Sequence, residues 1–135
     1  MAELRLLTVL ASEAGCDRVA DLPGACRVSP TEVMIAGDAS VEVLERAVHA
    51  DDPDALVLEV SDGWSLVPLQ GPRAREAFAR MSKLELPAEG FVQGEVARIG
   101  ARVLVSEGGI ELLVPAMLED HVRERVRHDC VGLLP

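Results

Sequence analysis

The chain has 135 residues, 49% of them hydrophobic, with 13 basic and 23 acidic side chains and a formal net charge of -10. That apolar content excludes intrinsic disorder, and no apolar run approaches the roughly 20 residues that span a bilayer. An acidic surface repels phosphate backbones, and three aromatics (Trp64, Phe78 and Phe91) are too few for base stacking, so neither nucleic acid nor a membrane is an expected partner.

The length fits a single domain over residues 1–135. Glu3–Leu10 predicts a first strand, with Leu4, Leu6 and Thr8 on one face and Arg5, Leu7 and Val9 on the other. Glu3 and Arg5 interrupt its apolar run, so it does not read as a secretory signal, and a cytoplasmic chain is expected. Residues 11–26 contain Gly15, Pro23 and Gly24 and predict a loop, or a loop with a short strand at Arg18–Leu22. Residues 27–32 predict a turn, and Val33–Ala36 a buried strand.

The period then changes. Val41, Leu44, Ala47 and Val48 predict an amphipathic helix over residues 39–50, capped by Asp38 or Ser40 and stopped by Asp51-Asp52-Pro53. Ala55–Val60 is almost continuously apolar, which predicts a central strand buried on both faces. Ser61-Asp62-Gly63 is a turn. Trp64–Leu69 follows as a strand that Pro68 consigns to an edge or a bulge.

Gln70-Gly71-Pro72 predicts the start of a second helix, because proline's missing N–H is harmless at the first helical position. Its apolar stripe is Ala74, Ala77, Phe78, Met81 and Leu84. Three strands are expected next, over residues 92–99, 102–105 and 110–114. Gly100-Ala101 and Glu107-Gly108-Gly109 supply the turns. A third helix is expected over residues 116–128, then a short tail, Val131–Pro135. Strand, sharp turn and helix recur at 33–50 and 110–128. The expected class is therefore α+β, with helices packed on a mostly antiparallel sheet.

Charge divides the chain unevenly. Residues 1–62 carry four basic and 13 acidic side chains, a net of -9, and residues 63–135 carry nine and ten, a net of -1. The acidic half is a soluble surface, or it steers toward a basic partner. Cys16, Cys26 and Cys130 form no C-x-x-C pair and predict free, buried thiols.

Few residues suggest chemistry. His121 and His128 stand two helical turns apart, about 10 Å by helical rise, too far to share a metal, and no metal site is expected. No nucleophile elbow is present, and no catalytic residue is assigned. The start of the second helix, with Arg73 and Arg75, has the makings of an anion site. Pairing of those arginines with local acids such as Glu76 is the preferred alternative. Trp64 is either an anchor of the core or a contact for a partner.

From Glu59 to Phe91 the sequence resembles the gamma subunit of heterotetrameric sarcosine oxidase. That family lies in the folate-binding-type superfamily of the glycine-cleavage T-protein. The matching blocks are Val60-Ser61-Asp62-Gly63-Trp64, Leu69-Gln70-Gly71-Pro72-Arg73-Ala74-Arg75, Leu84-Glu85-Leu86, and Phe91 followed by Gly94. Val28–Ala36 and Glu111–Pro115 with its following helix extend the likeness over roughly residues 27–128.

The resemblance implies two ferredoxin-like α/β halves. It also implies an accessory, non-catalytic subunit packed against larger, flavin-bearing chains that oxidatively demethylate sarcosine or a related N-methyl amino acid. FAD, FMN, NAD and tetrahydrofolate would sit in those partners, and this chain would hold no cofactor of its own. Ser61, Asp62, Trp64, Gly71, Pro72 and Arg73 are the expected structural or partner-facing residues. Asp62 is the one candidate for contacting a pterin, should the chain instead be a small stand-alone folate- or anion-binding protein related to the T-protein.

Overall fold

The computed structural model describes residues 5–135, so Glu3 and Leu4, the first two residues of the strand expected at Glu3–Leu10, lie outside the described residues. The chain divides between Ser61 and Asp62 into two units. Each is a four-stranded antiparallel sheet with two α-helices, an α+β architecture of two ferredoxin-like halves.

The first unit runs β1 (Leu6–Leu10), α1 (Glu13–Asp17), β2 (Ala25–Ser29), β3 (Glu32–Ala36), α2 (Val41–His49) and β4 (Leu56–Glu59), with strand order β2-β3-β1-β4. This is the β-α-β-β-α-β order of a ferredoxin-like unit. Leu7 and Val9 of β1 pair with Ile35 and Val33 of β3, which sets all four on one face. With Leu44 and Val48 of α2, Cys16 and Val19, they form the core. Of the two caps the sequence allows, Asp38 and Ser40, Ser40 caps α2, its Oγ accepting from the Val43 N–H.

Three expectations fail here. The loop of residues 11–26 contains α1, started by Ser12, whose Oγ accepts from the Gly15 N–H at 3.1 Å. No strand forms at Arg18–Leu22; β2 runs through Arg27–Ser29 instead, with a bulge, and the turn shrinks to Pro30-Thr31. More consequentially, β4 is an edge strand, paired only with β1. Val57 faces the core, but Leu56 and Leu58 are 54% and 44% exposed. Together with Leu10, the direct partner of Leu56, they make an apolar strip on the opposite face. A continuous apolar run does not distinguish a central strand from an edge strand with one greasy outer face.

The second unit runs β5 (Trp64–Leu69), α3 (Ala74–Ala79), β6 (Gly90–Val96), β7 (Ile99–Ser106), β8 (Gly109–Pro115) and α4 (Glu119–Asp129). Single 3-10 turns, Ser61–Gly63 and Ala116–Leu118, precede β5 and α4. The strand order β5-β8-β7-β6 is a three-strand meander with β5 added at its edge, a position that tolerates Pro68. Val67, Leu69, Val103, Val105, Ile110, Leu112 and Val114 face the helices, and Ala77, Phe78 and Val122 pack on them.

The second helix is shorter than its apolar stripe. Gly71, at φ +101°, forms a turn closed by the Ala74 N–H on the Gly71 carbonyl, so the helix begins at Ala74 and not at Pro72. It ends at Ala79, and the carbonyl of Met81 is taken by the Ala97 N–H across the unit. Leu84 still reaches the core, from an extended segment, by packing over Gly94, where a Cβ would come within 2.8 Å of it. The β6–β7 turn falls at Ala97-Arg98 and not at Gly100-Ala101, which lie within β7. The C-terminal residues are no free tail: Leu133 is buried in the core and Leu134 packs against it.

Candidate functional site

The segment that carries the resemblance is positioned by local chemistry. In the first unit, Ser61 Oγ accepts from the backbone N–H of Leu6 at 2.9 Å and lies 3.4 Å from Glu59 Oε1. It ties the chain leaving β4 to β1. Asp62 and Gly63 continue the 3-10 turn at the surface. Asp62, the pterin candidate, has no hydrogen-bond or ion-pair partner among the described residues.

In the second unit, Trp64 opens β5 opposite Pro115 and points away from the helices. It is half-buried and stands outside the core cluster. The guanidinium of Arg102 lies over its ring, 4.3 Å from the centroid, a cation–π contact. Trp64 and Arg102 line a shallow cleft of about 350 Å³ with Gln93, Gly94, Gly100 and Ala101. Sequence reading does not pick out Arg102. The signal available was its alternation with buried Ala101 and Val103, which puts it on the outer face of β7.

Gly71-Pro72-Arg73 sits at the other end of β5. A Cβ on Gly71 would come within 3.1 Å of the Pro135 ring, and its positive φ already disfavours other residues. Arg73 makes a bidentate pair with Glu76, through Nε at 3.2 Å and Nη2 at 2.9 Å. That pair holds the Glu76 carboxyl below its ordinary range. Arg75 donates to the Pro87 carbonyl at 2.6 Å. Both arginines are thus engaged within the chain, and the six-residue α3 has little dipole to offer an anion. Six residues of strand, roughly 20 Å, separate Trp64 from Gly71, so the two ends are distinct surfaces.

Two of the three histidines also make structural contacts. His49 Nε2 lies 3.0 Å from the Ala55 carbonyl, and His121 Nε2 lies 3.1 Å from that of Ala97. Among the described residues, no three His, Cys, Asp or Glu side chains converge as metal ligands would. Among the described residues, no disulfide joins Cys16, Cys26 or Cys130, and all three are buried. Burial pushes the Cys16 and Cys130 thiols up, and Cys130 Sγ donates to the Ala77 carbonyl at 3.3 Å. No helix is long and apolar enough to cross a membrane among the described residues.

No family model matches the chain. An aminomethyltransferase from Thermotoga neapolitana is 31% identical over 121 residues, which cover 82% of this chain. The chain spans about a third of that relative's length. In structure, the chain superposes on a chain of heterotetrameric sarcosine oxidase from Corynebacterium sp. U-96 with a TM-score of 0.75 at 16% identity. That match covers 96% of this chain and 80% of the other, so the two are of comparable length. The resemblance carried by residues 27–128 is therefore met twice, in fold by a sarcosine oxidase chain and in sequence by an aminomethyltransferase.

Proposed function

We propose that this chain is an accessory, non-catalytic subunit of a sarcosine-oxidase-like flavoenzyme that oxidatively demethylates sarcosine or a related N-methyl amino acid. The observation that carries the reading is the near end-to-end superposition on a similarly sized chain of a heterotetrameric sarcosine oxidase. The larger partner chains would bind FAD, FMN, NAD and tetrahydrofolate in the cytoplasm. Two surfaces supply what docking needs. One is the Leu10, Leu56 and Leu58 strip in the acidic half, and burying a leucine fully is worth about 1.5–3 kcal/mol. The other is the Trp64–Arg102 cleft, since Trp and Arg are the residues that most often dominate interface energetics.

Affinity purification of the tagged chain from its own host tests this. Larger chains with flavin absorbance are expected to co-purify from cells grown on sarcosine, and Leu56→Lys with Leu58→Lys is expected to release them. Recovery of the chain alone from cells that express such an oxidase would overturn the assignment.

The 31% identity to an aminomethyltransferase favours a second reading, a stand-alone folate- or anion-binding protein. Isothermal titration of the isolated chain with tetrahydrofolate separates the two. Micromolar binding that Asp62→Ala abolishes supports the second reading, and no heat of binding supports the first.

A further inference from the structure

The second unit contains a cavity of about 580 Å³ that no feature of the sequence announces. Its volume lies within the range of small-molecule sites. Arg80, Lys83, Arg98 and Arg125 line it, four cations against one carboxylate, Glu95. They come from four separate places: the end of α3, the segment after it, the β6–β7 turn and α4. A chain with a net charge of -10 thus concentrates nearly a third of its 13 basic residues around one hollow.

The donors are available. Lys83 and Arg98 have no hydrogen-bond or ion-pair partner among the described residues. Arg80 gives one N–H to the Asp129 carbonyl, at 3.4 Å. Arg125 pairs with the Asp129 carboxylate at 2.8 Å. A guanidinium carries five N–H donors, so both retain several.

Backbone geometry is a second, independent observation. Val96 pairs with Ile99, leaving Ala97 and Arg98 as a two-residue hairpin turn, and both have positive φ, 52° and 68°. Such turns call for Asn-Gly, and neither residue here is a turn former. The turn is held from outside. Ala97 is buried, its N–H donates to the Met81 carbonyl at 2.8 Å, and its carbonyl accepts from His121 Nε2 at 3.1 Å. Strain kept in place by the surrounding structure points to a use, and the use visible here is to hold an arginine at the rim of a cationic cavity.

We propose that this cavity binds a small polyanion, a metabolite carrying two or more phosphate or carboxylate groups. The hollow is open to solvent and of small-molecule size, and the acidic remainder of the surface disfavours a polymeric anion. The inference does not depend on whether the chain works within a larger complex.

Thermal unfolding and calorimetric titration of the full chain at constant ionic strength test it, with pyrophosphate and citrate as probes and chloride as the reference. Arg98→Gly is the decisive variant. Glycine accepts positive φ freely, so it should raise the ligand-free melting temperature by a few degrees, while binding falls at least about tenfold. Lys83→Gln should weaken binding similarly without the gain in stability. A response to pyrophosphate alone identifies a phosphate site, and a response to citrate alone a carboxylate site; either supports the proposal. No shift beyond that of chloride, or equal responses in wild type, Arg98→Gly and Lys83→Gln, would overturn it.

Discussion

The two halves of this molecule solve one packing problem with very unequal charge, one strongly acidic and the other nearly neutral. Each buries one face of a four-stranded antiparallel sheet under helices. In the first half, arginines act as staples between distant segments. Arg18 pairs with Asp51, Arg27 with Asp17 and Arg5 with Glu59. Asp52 does the same as an acceptor, taking the Ser12 N–H at 2.7 Å and the Asp54 N–H at 3.0 Å. In the second half the ion pairs are local to single helices: Arg73 with Glu76 at α3, and Arg123 with Glu119, Arg125 with Asp129 and Arg127 with Glu124 along α4. Exposed pairs of either kind contribute little to stability, about 0–1 kcal/mol each. The difference therefore concerns the surface more than the fold. The first half leaves an excess of carboxylates in solvent, and the second gathers spare cations around a cavity.

The largest tests of the comparison lie in the two cores. Phe78→Ala should cost about 3–5 kcal/mol and Leu44→Ala about 2–5 kcal/mol, since both side chains are buried to within 1% and leave cavities. Urea unfolding curves measure the cost, and hydrogen exchange shows which half loses protection. Loss of protection in both halves from either substitution would mean that the halves unfold as one unit. A backbone test comes next. Gly24 has φ +79°, and a Cβ there would meet the Ala36 carbonyl oxygen at 2.0 Å; Gly24→Ala should cost on the order of 2–3 kcal/mol. At Gly100 a Cβ meets open space, and Gly100→Ala should change stability by about 0.5 kcal/mol or less. Helix caps come third: Ser12→Ala removes the acceptor that starts α1 and should cost about 1 kcal/mol.

Gly100 also shows where sequence reading reaches its limit. The helix at residues 41–49 and most strands were legible because their burial repeats with the period of the element. The β6–β7 turn was not. Glycine at 100 advertises a turn, yet register places the reversal at Ala97-Arg98, where contacts from Met81 and His121 override local preference. The same holds for α1, a five-residue helix carried by the burial of Cys16. It holds too for Leu133, whose burial depends on a core assembled from distant strands. Of the candidate functional residues, Trp64 and Gly71 stood out as singular residues in a recognisable block. Arg102 and the cavity cations did not, because strand register and helix ends bring them together, and spacing along the chain does not.

The smallest effect concerns pH, and it falls on one half. The carboxyls of Glu76, Glu119 and Glu124 are all held below their ordinary range, and all three belong to the second unit. For Glu119 the first cause is a hydrogen bond from the Ser65 hydroxyl, and the second is Arg123. A carboxyl whose folded-state pKa is depressed stabilises the fold above its unfolded-state pKa, near 4.5 for Glu. That contribution disappears as pH falls below that value and through the lower folded-state one. These groups are exposed, so solvent screens the effect. The urea midpoint of the wild type should therefore decline modestly below about pH 4.5, and Glu119→Gln should flatten the decline. Because Ser65 lies on β5 and Glu119 at the start of α4, the bond that titrates joins the edge strand to the helix. Hydrogen exchange at low pH should then show β5 loosening ahead of β1 and β3. If the first half loosens at the same pH, its long-range arginine staples, and not the local glutamates of the second, govern acid sensitivity.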